Sequence, residues 1–147
     1  MNVKRFEQIY LKTCAGLYMD TFSKEPWNES WESPAVVEAF LQRHIDNNYF
    51  LGYVLEQDGE IIGASFGFTK PWIRGFEYYI DEFFISPAYQ RNGAGTSFLD
   101  EIRKDLRAKG INAIMLLTEK QYPAYTFYMK NGFKDCETMR LLIKTSK

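Results

Sequence analysis

One histidine, two cysteines and no long apolar run do most of the excluding in this 147-residue chain. His44 has no Cys or second His nearby, so a structural metal site has nothing to build on. Ser-His-Asp or Cys-His catalysis would have to run through His44 alone, a poor prospect. Cys14 and Cys136 are far apart with no CxxC pattern, and both read as small core or surface residues. No apolar stretch reaches the roughly 18 residues of a membrane span, and no signal peptide or sorting tail is visible. No membrane partner is expected, and the default compartment is the cytoplasm. The net charge is −1 with no Lys/Arg block. Nucleic acid is thereby excluded as the main partner, because phosphate binding needs a concentrated basic footprint.

What is present is an ordinary globular composition, 46% hydrophobic and 25% charged. The length suits a single domain spanning residues 1–147. Aromatic residues are abundant at 17%, more than a core needs, so some are available to line a cleft.

Phe6, Ile9, Tyr10, Cys14, Leu17 and Tyr18 recur at helical spacing and predict a first helix over about Phe6 to Phe22. The stretch from Ser23 to Pro34, with two prolines and two tryptophans, reads as a loop. Ser33 as cap and Pro34 in the first turn start a second helix reaching roughly Asn47. Two strand-like runs flank Asp58-Gly59, a hairpin signal. A loop is expected around Lys70 to Gly75, then a strand through "FEYYIDEFFI". A helix from about Ala94 to Lys109 buries Phe98, Leu99, Ile102 and Leu106 and stops at Gly110. "INAIMLLT" reads as a buried parallel strand, with Met115 and Leu116 in the core. A short helix over Ala124 to Asn131 follows, and "GFKDCETMRLLIKTS" closes the chain as one or two strands. The fold class is α/β: a mixed sheet with helices on its faces.

Between strand and helix lies Gln90-Arg91-Asn92-Gly93-Ala94-Gly95. Glycines before a helix N-terminus let unpaired N–H groups approach an anion, and Arg91 adds a full charge. The turn is neither a P-loop nor a dinucleotide fingerprint. From these six residues alone, a plain glycine-eased turn explains the pattern equally well.

This order of elements, with "YIDEFFISPAYQRNGAGTSFL" followed by "AYTFYMKNGF", resembles the GNAT superfamily of acyl-CoA-dependent N-acyltransferases. The resemblance is specific from about Asp58 to Phe133. It implies a GNAT-like fold and acetyl-CoA as co-substrate, with no metal. The turn from Gln90 to Gly95, with Thr96, would wrap the CoA pyrophosphate. Asn92 and Ala94 depart mildly from the residues usual there. The resemblance also implies a bulged strand at Phe83, Phe84 and Ile85 whose free backbone groups pair with the pantetheine arm. Gln121 and Tyr125 fall where the family approaches the lower part of CoA.

Acetyl transfer to an amine needs a neutral amine, a polarised carbonyl and a proton for the departing thiolate. Tyr128, ahead of Asn131-Gly132-Phe133, matches the family's proton donor, and a phenol's pKa of ~10 lies above a thiol's ~8.5. A tyrosine packed beneath the short helix is the structural alternative. A carboxylate is needed to take the amine's proton. Asp81 and Glu82 are adjacent on a strand, so their side chains should point to opposite faces and only one into the cleft. The resemblance to polyamine and aminoglycoside acetyltransferases favours Asp81, with Glu82 second. A salt bridge to a neighbouring cation would account for either. Trp27 and Trp31 beside Glu25, Glu29 and Glu32 suit a cationic amine, and Trp72 would form a second wall. They serve equally well as anchors of a long loop.

The function expected is acetyl transfer from acetyl-CoA to a primary amine on a small, polyamine-like or aminoglycoside-like molecule. The alternatives are a catalytically silent acyl-CoA sensor and a protein or peptide N-acetyltransferase. Dimers are common among such enzymes, so the resemblance allows a homodimer.

Overall fold

The structure, a computed structural model, describes residues 1–146. It divides into a large compact unit, Met1–Leu117, and a small one beginning at Thr118.

The large unit is a five-stranded sheet in the order β1-β2-β3-β4-β5. Its strands are β1 (Asn2–Arg5), β2 (Phe50–Gln57), β3 (Glu60–Trp72), β4 (Gly75–Ile85) and β5 (Ile111–Leu116). The first four pair antiparallel and β5 runs parallel to β4. Helices α1 (Leu11–Phe22) and α2 (Pro34–Ile45) lie on one face. On the other face α3 (Ala94–Ala108) packs Phe98, Ile102 and Leu106 against Tyr53, Tyr78 and Ile80. The expected α/β class, with helices on both faces of a mixed sheet, is what forms.

Local chemistry accounts for the boundaries. Ser33 caps α2 by accepting the Val36 N–H at 3.4 Å, with Pro34 in the first turn. Asp58 and Gly59 both take positive φ, +51° and +79°, as a tight two-residue hairpin demands. Gly110, at φ +75°, ends α3.

Four expectations change. A strand, β1, precedes the first helix, whose opening turn is a short 3-10 segment at Gln8–Tyr10. No loop spans Lys70 to Gly75, because Trp72 pairs with Gly75 and the hairpin closes on Ile73-Arg74. Met115 is 37% exposed, since α1 and α2 pack over β2, β3 and β4 but β5 is the sheet's edge. Only Leu116 of that pair packs on the core.

The fourth change falls in the small unit, which holds one helix, α4 (Pro123–Lys130). After it, residues 134–146 form no strand. A strand's backbone bonds lie on a neighbour, and this unit has none among its described residues. The Asn131-Gly132-Phe133 sequence is a helix stop. Phe133 N–H donates to the Tyr128 carbonyl at 3.1 Å and Gly132 N–H to that of Met129 at 3.3 Å. With Gly132 at φ +86° and the Tyr128 and Phe133 rings 5.2 Å apart, this is a Schellman cap with its apolar contact.

Candidate functional site

The site begins with an interruption in β4. Phe66 pairs with Glu82, but the next residue of β3, Gly67, pairs with Ile80. Asp81 is therefore an extra residue, a β-bulge. The bulge shifts the alternation by one. Before it, Tyr78 and Ile80 face α3; after it, Phe83 and Ile85 do, while Phe84 packs with Tyr18 and Phe66 under α1 and α2. Asp81 and Glu82 thus project to the same face, toward α2.

His44, on the last turn of α2, meets both. Its Nδ1 is 3.4 Å from Asp81 Oδ2 and its Nε2 is 3.7 Å from Glu82 Oε1. The expectation that the two carboxylates point apart is overturned, because it assumed unbroken alternation. The bulge also sits nearer the hairpin than expected: Phe83, Phe84 and Ile85 pair regularly with Ser65, Ala64 and Gly63.

Those three residues lie beyond the pairing with β5. Pairing with β5 ends at Ile80 and Leu116, so β4 runs on from Asp81 to Ile85 without that neighbour. An extended ligand can lie along this edge where β5 no longer runs beside it. At its end, the Gln90 side chain donates to the Ile85 carbonyl at 2.8 Å.

The glycine turn follows. Arg91 and Gly93 take positive φ, +66° and +86°, and Gly93 is the N-cap of α3. No side chain caps α3, and its first intrahelical bond is Ser97 N–H to the Gly93 carbonyl. The N–H groups of Ala94, Gly95 and Thr96 therefore have no partner within the helix. A side chain on Gly93 would meet nothing within 4 Å. This open, donor-lined turn with one arginine fits an anion such as a pyrophosphate.

Around the carboxylates stands an aromatic wall. Trp31 Nε1 and Tyr18 Oη donate to the same oxygen of Glu29, at 2.9 and 3.2 Å. Trp31 contacts Tyr18 and Phe40, Phe40 contacts His44, and Phe22 joins Trp27 to Phe84. Trp27 and Trp31 are thereby brought to this face. Trp72 is not: it lies six residues along β3 from Phe66, about 20 Å at the strand rise.

Charge tunes the patch. Burial pushes the Glu82 carboxyl above its usual range, with His44 partly opposing and Glu29 and Asp81 adding to the rise. The facing carboxylates of Asp81 and Glu82 push His44 up to about 9, against the cost of burial. His44 is thus an imidazolium at neutral pH. Burial, then Glu82 and Glu29, push the Tyr18 phenol well above its ordinary value.

Sequence reasoning passed over His44 and Tyr18. The available signal for His44 was its place one turn after Phe40 on α2, where a half-buried imidazole needs a partner. In the small unit, Tyr125 Oη donates to Asp135 at 3.0 Å, Tyr128 is buried and Gln121 is exposed. Among the described residues, no group of three or more His, Cys, Asp and Glu could hold a metal, and no helix is long and apolar enough to cross a membrane.

Comparison with known proteins places this fold. A possible acetyltransferase from Clostridium difficile 630 superposes with a TM-score of 0.81 at 14% identity, covering 99% of this chain and 98% of that one. The aminoglycoside 6'-N-acetyltransferase of Acinetobacter haemolyticus gives 0.72 at 15% identity over 100% and 98%. A predicted acetyltransferase from Clostridium acetobutylicum, solved with acetyl-CoA, gives 0.68 at 18% over 97% and 95%. No curated protein matches the sequence significantly. The model of the acetyltransferase (GNAT) family matches residues 13–133. The chain belongs to the GNAT acetyltransferase family.

Proposed function

We propose that the protein is an N-acetyltransferase that moves acetyl from acetyl-CoA to a primary amine on a small cationic molecule, polyamine-like or aminoglycoside-like. The observation that carries the acceptor class is the bulge at Asp81, which turns two carboxylates to the face shared with Glu29, Trp27 and Trp31. Acids attract an ammonium and aromatic faces hold it. The A. haemolyticus enzyme, named for an aminoglycoside acceptor, lends support from the same fold.

Acetyl-CoA supplies an activated thioester. The turn from Gln90 to Thr96 binds its pyrophosphate through backbone N–H groups and Arg91, and the edge of β4 at Phe83, Phe84 and Ile85, beyond its pairing with β5, aligns the pantetheine arm. With both carboxylates on one face, the deeper burial of Glu82 favours it as the base. Glu82, 17% exposed with raised proton affinity, takes the amine's proton; Asp81, 26% exposed, helps hold the ammonium. Tyr128 is assigned as proton donor to the departing thiolate, on the resemblance of its segment to the family's.

A thiol-release screen with acetyl-CoA against polyamines, aminoglycosides, amino acids and peptides tests this. Release with polyamines or aminoglycosides is expected. Release with N-terminal peptides alone would overturn the acceptor class, and acetyl-CoA binding without release would make the protein a sensor.

A further inference from the structure

We propose that His44 is a positioning residue for the acetyl-transfer site: it holds Asp81 and Glu82 together on one face and keeps Glu82 ionised as the proton acceptor. The inference rests on the acetyltransferase reading given above.

The bulge creates the need for such a residue. Two carboxylates turned to one face repel, and close carboxylates relieve repulsion by sharing a proton. Glu82 is also mostly buried, which favours its neutral form. A protonated Glu82 cannot receive an amine's proton, so something must keep it charged.

His44 is placed for that work. An imidazolium has two N–H donors on opposite sides of one ring, and here one nitrogen faces each carboxylate. A neutral imidazole has one donor and can serve only one of them. Its helix adds to the preference, because α2 ends at Ile45 and a helix C-terminus favours a cation. Phe40, one turn earlier, sets its ring edge-on to the imidazole at 5.2 Å. The charged and titratable groups about it are Asp81 and Glu82 from β4, with Glu29 from the preceding loop acting on Glu82, and Tyr18 from α1, whose phenol Glu82 itself pushes up. Arg43, beside it on α2, is exposed.

The two contacts are unequal. Nδ1 forms the shorter ion-pair contact, 3.4 Å from Asp81, whereas Nε2 is buried with no hydrogen-bond partner and Glu82 lies 3.7 Å away. Asp81 is therefore the nearer partner. Glu82 keeps its lone pairs available while His44 offsets part of the effect of its burial. That is the arrangement a base needs if it is to stay ionised and still accept a proton.

Two measurements test the proposal. The first needs no turnover: His44 is the only histidine, so one imidazole signal titrates in an NMR spectrum of the intact protein. Its midpoint should lie well above the ordinary 6.5 and fall by about 1 to 2 pH units in Asp81→Asn. An ordinary midpoint in the unmutated protein, or one that Asp81→Asn leaves in place, would overturn the clamp. The second follows kcat/KM against pH. In His44→Gln the acidic limb should move up by about 1 to 2 pH units, and in His44→Gln/Asp81→Asn it should move part of the way back, with acetyl-CoA affinity unchanged. An unmoved limb with lower activity would make His44 a packing residue only. If no amine is turned over, the acetyltransferase reading fails while the NMR titration still decides the clamp.

Discussion

Gly67→Ala is the smallest change that challenges the bulge. Gly67 stands beside the extra residue, paired with Ile80. A Cβ added there would collide with the Tyr79 carbonyl oxygen and lie 2.7 and 2.9 Å from atoms of the Tyr78 ring. Neither neighbour yields easily. The oxygen belongs to the opposing strand's backbone. The ring is fully buried, and its hydroxyl is tied to Ser65 at 2.9 Å and to the Leu51 carbonyl at 3.0 Å. Overpacking costs ~1–3 kcal/mol, and rigid neighbours on both sides place this case at ~2–3 kcal/mol. At a urea slope of ~1–3 kcal/mol per molar, the unfolding midpoint should drop by ~0.7–3 M. Gly63→Ala is the control: its nearest atom is Ile85 Cδ1, the end of a flexible side chain, at 2.7 Å, and the backbone it approaches, the Phe84 carbonyl, stands farther off at 3.0 Å. It should cost less. In Gly67→Ala the re-aimed carboxylates should also lower amine turnover while acetyl-CoA affinity holds. A Gly67→Ala protein within ~0.5 kcal/mol of the parent and fully active would show that the bulge does not depend on Gly67.

Three further outcomes are expected. Because His44 is raised from 6.5 to about 9, its contribution is complete below pH 6.5 and lost as pH rises through 9. Urea unfolding should show ~2–3 kcal/mol of that loss between pH 6 and 9.5, trimmed by the side chain's 22% exposure and missing in His44→Gln. Gly93→Val places a β-branched residue at φ +86° but in open space, so it should fold with ~1–2 kcal/mol of strain. Calorimetry should find CoA affinity about 10- to 100-fold weaker, the loss of one charge-assisted hydrogen bond. Tyr128→Phe should lower turnover by about 10²-fold with little change in CoA affinity, and full activity would remove it as the proton donor.

Much of the frame was legible because local chemistry sets it. Ser33-Pro34, Asp58-Gly59, Gly93 and Gly110 each mark a boundary through a cap or a positive φ, and all stand where expected. The site was legible as a list of residues but not as an arrangement. Asp81 and Glu82 were singled out, yet strict alternation put them on opposite faces. The clue lay in the strand itself: unbroken alternation would set Glu82 on the face of Tyr78 and Ile80, against α3's apolar stripe. One extra residue resolves that conflict. His44 could not be paired from sequence, because its partners lie 37 and 38 positions away on another element. The closing strands failed for a related reason. "MRLLIK" has strand-like composition, but composition does not supply the neighbour that a strand requires.

The most direct measurement follows both products at once. The protein is incubated with acetyl-CoA and a linear polyamine, free thiol is measured by absorbance, and N-acetylated amine by mass spectrometry. Thiol and acetylated amine should appear one for one, at a rate that depends on the amine concentration. Thiol without acetylated amine, or neither product with any cationic amine, would contradict the account.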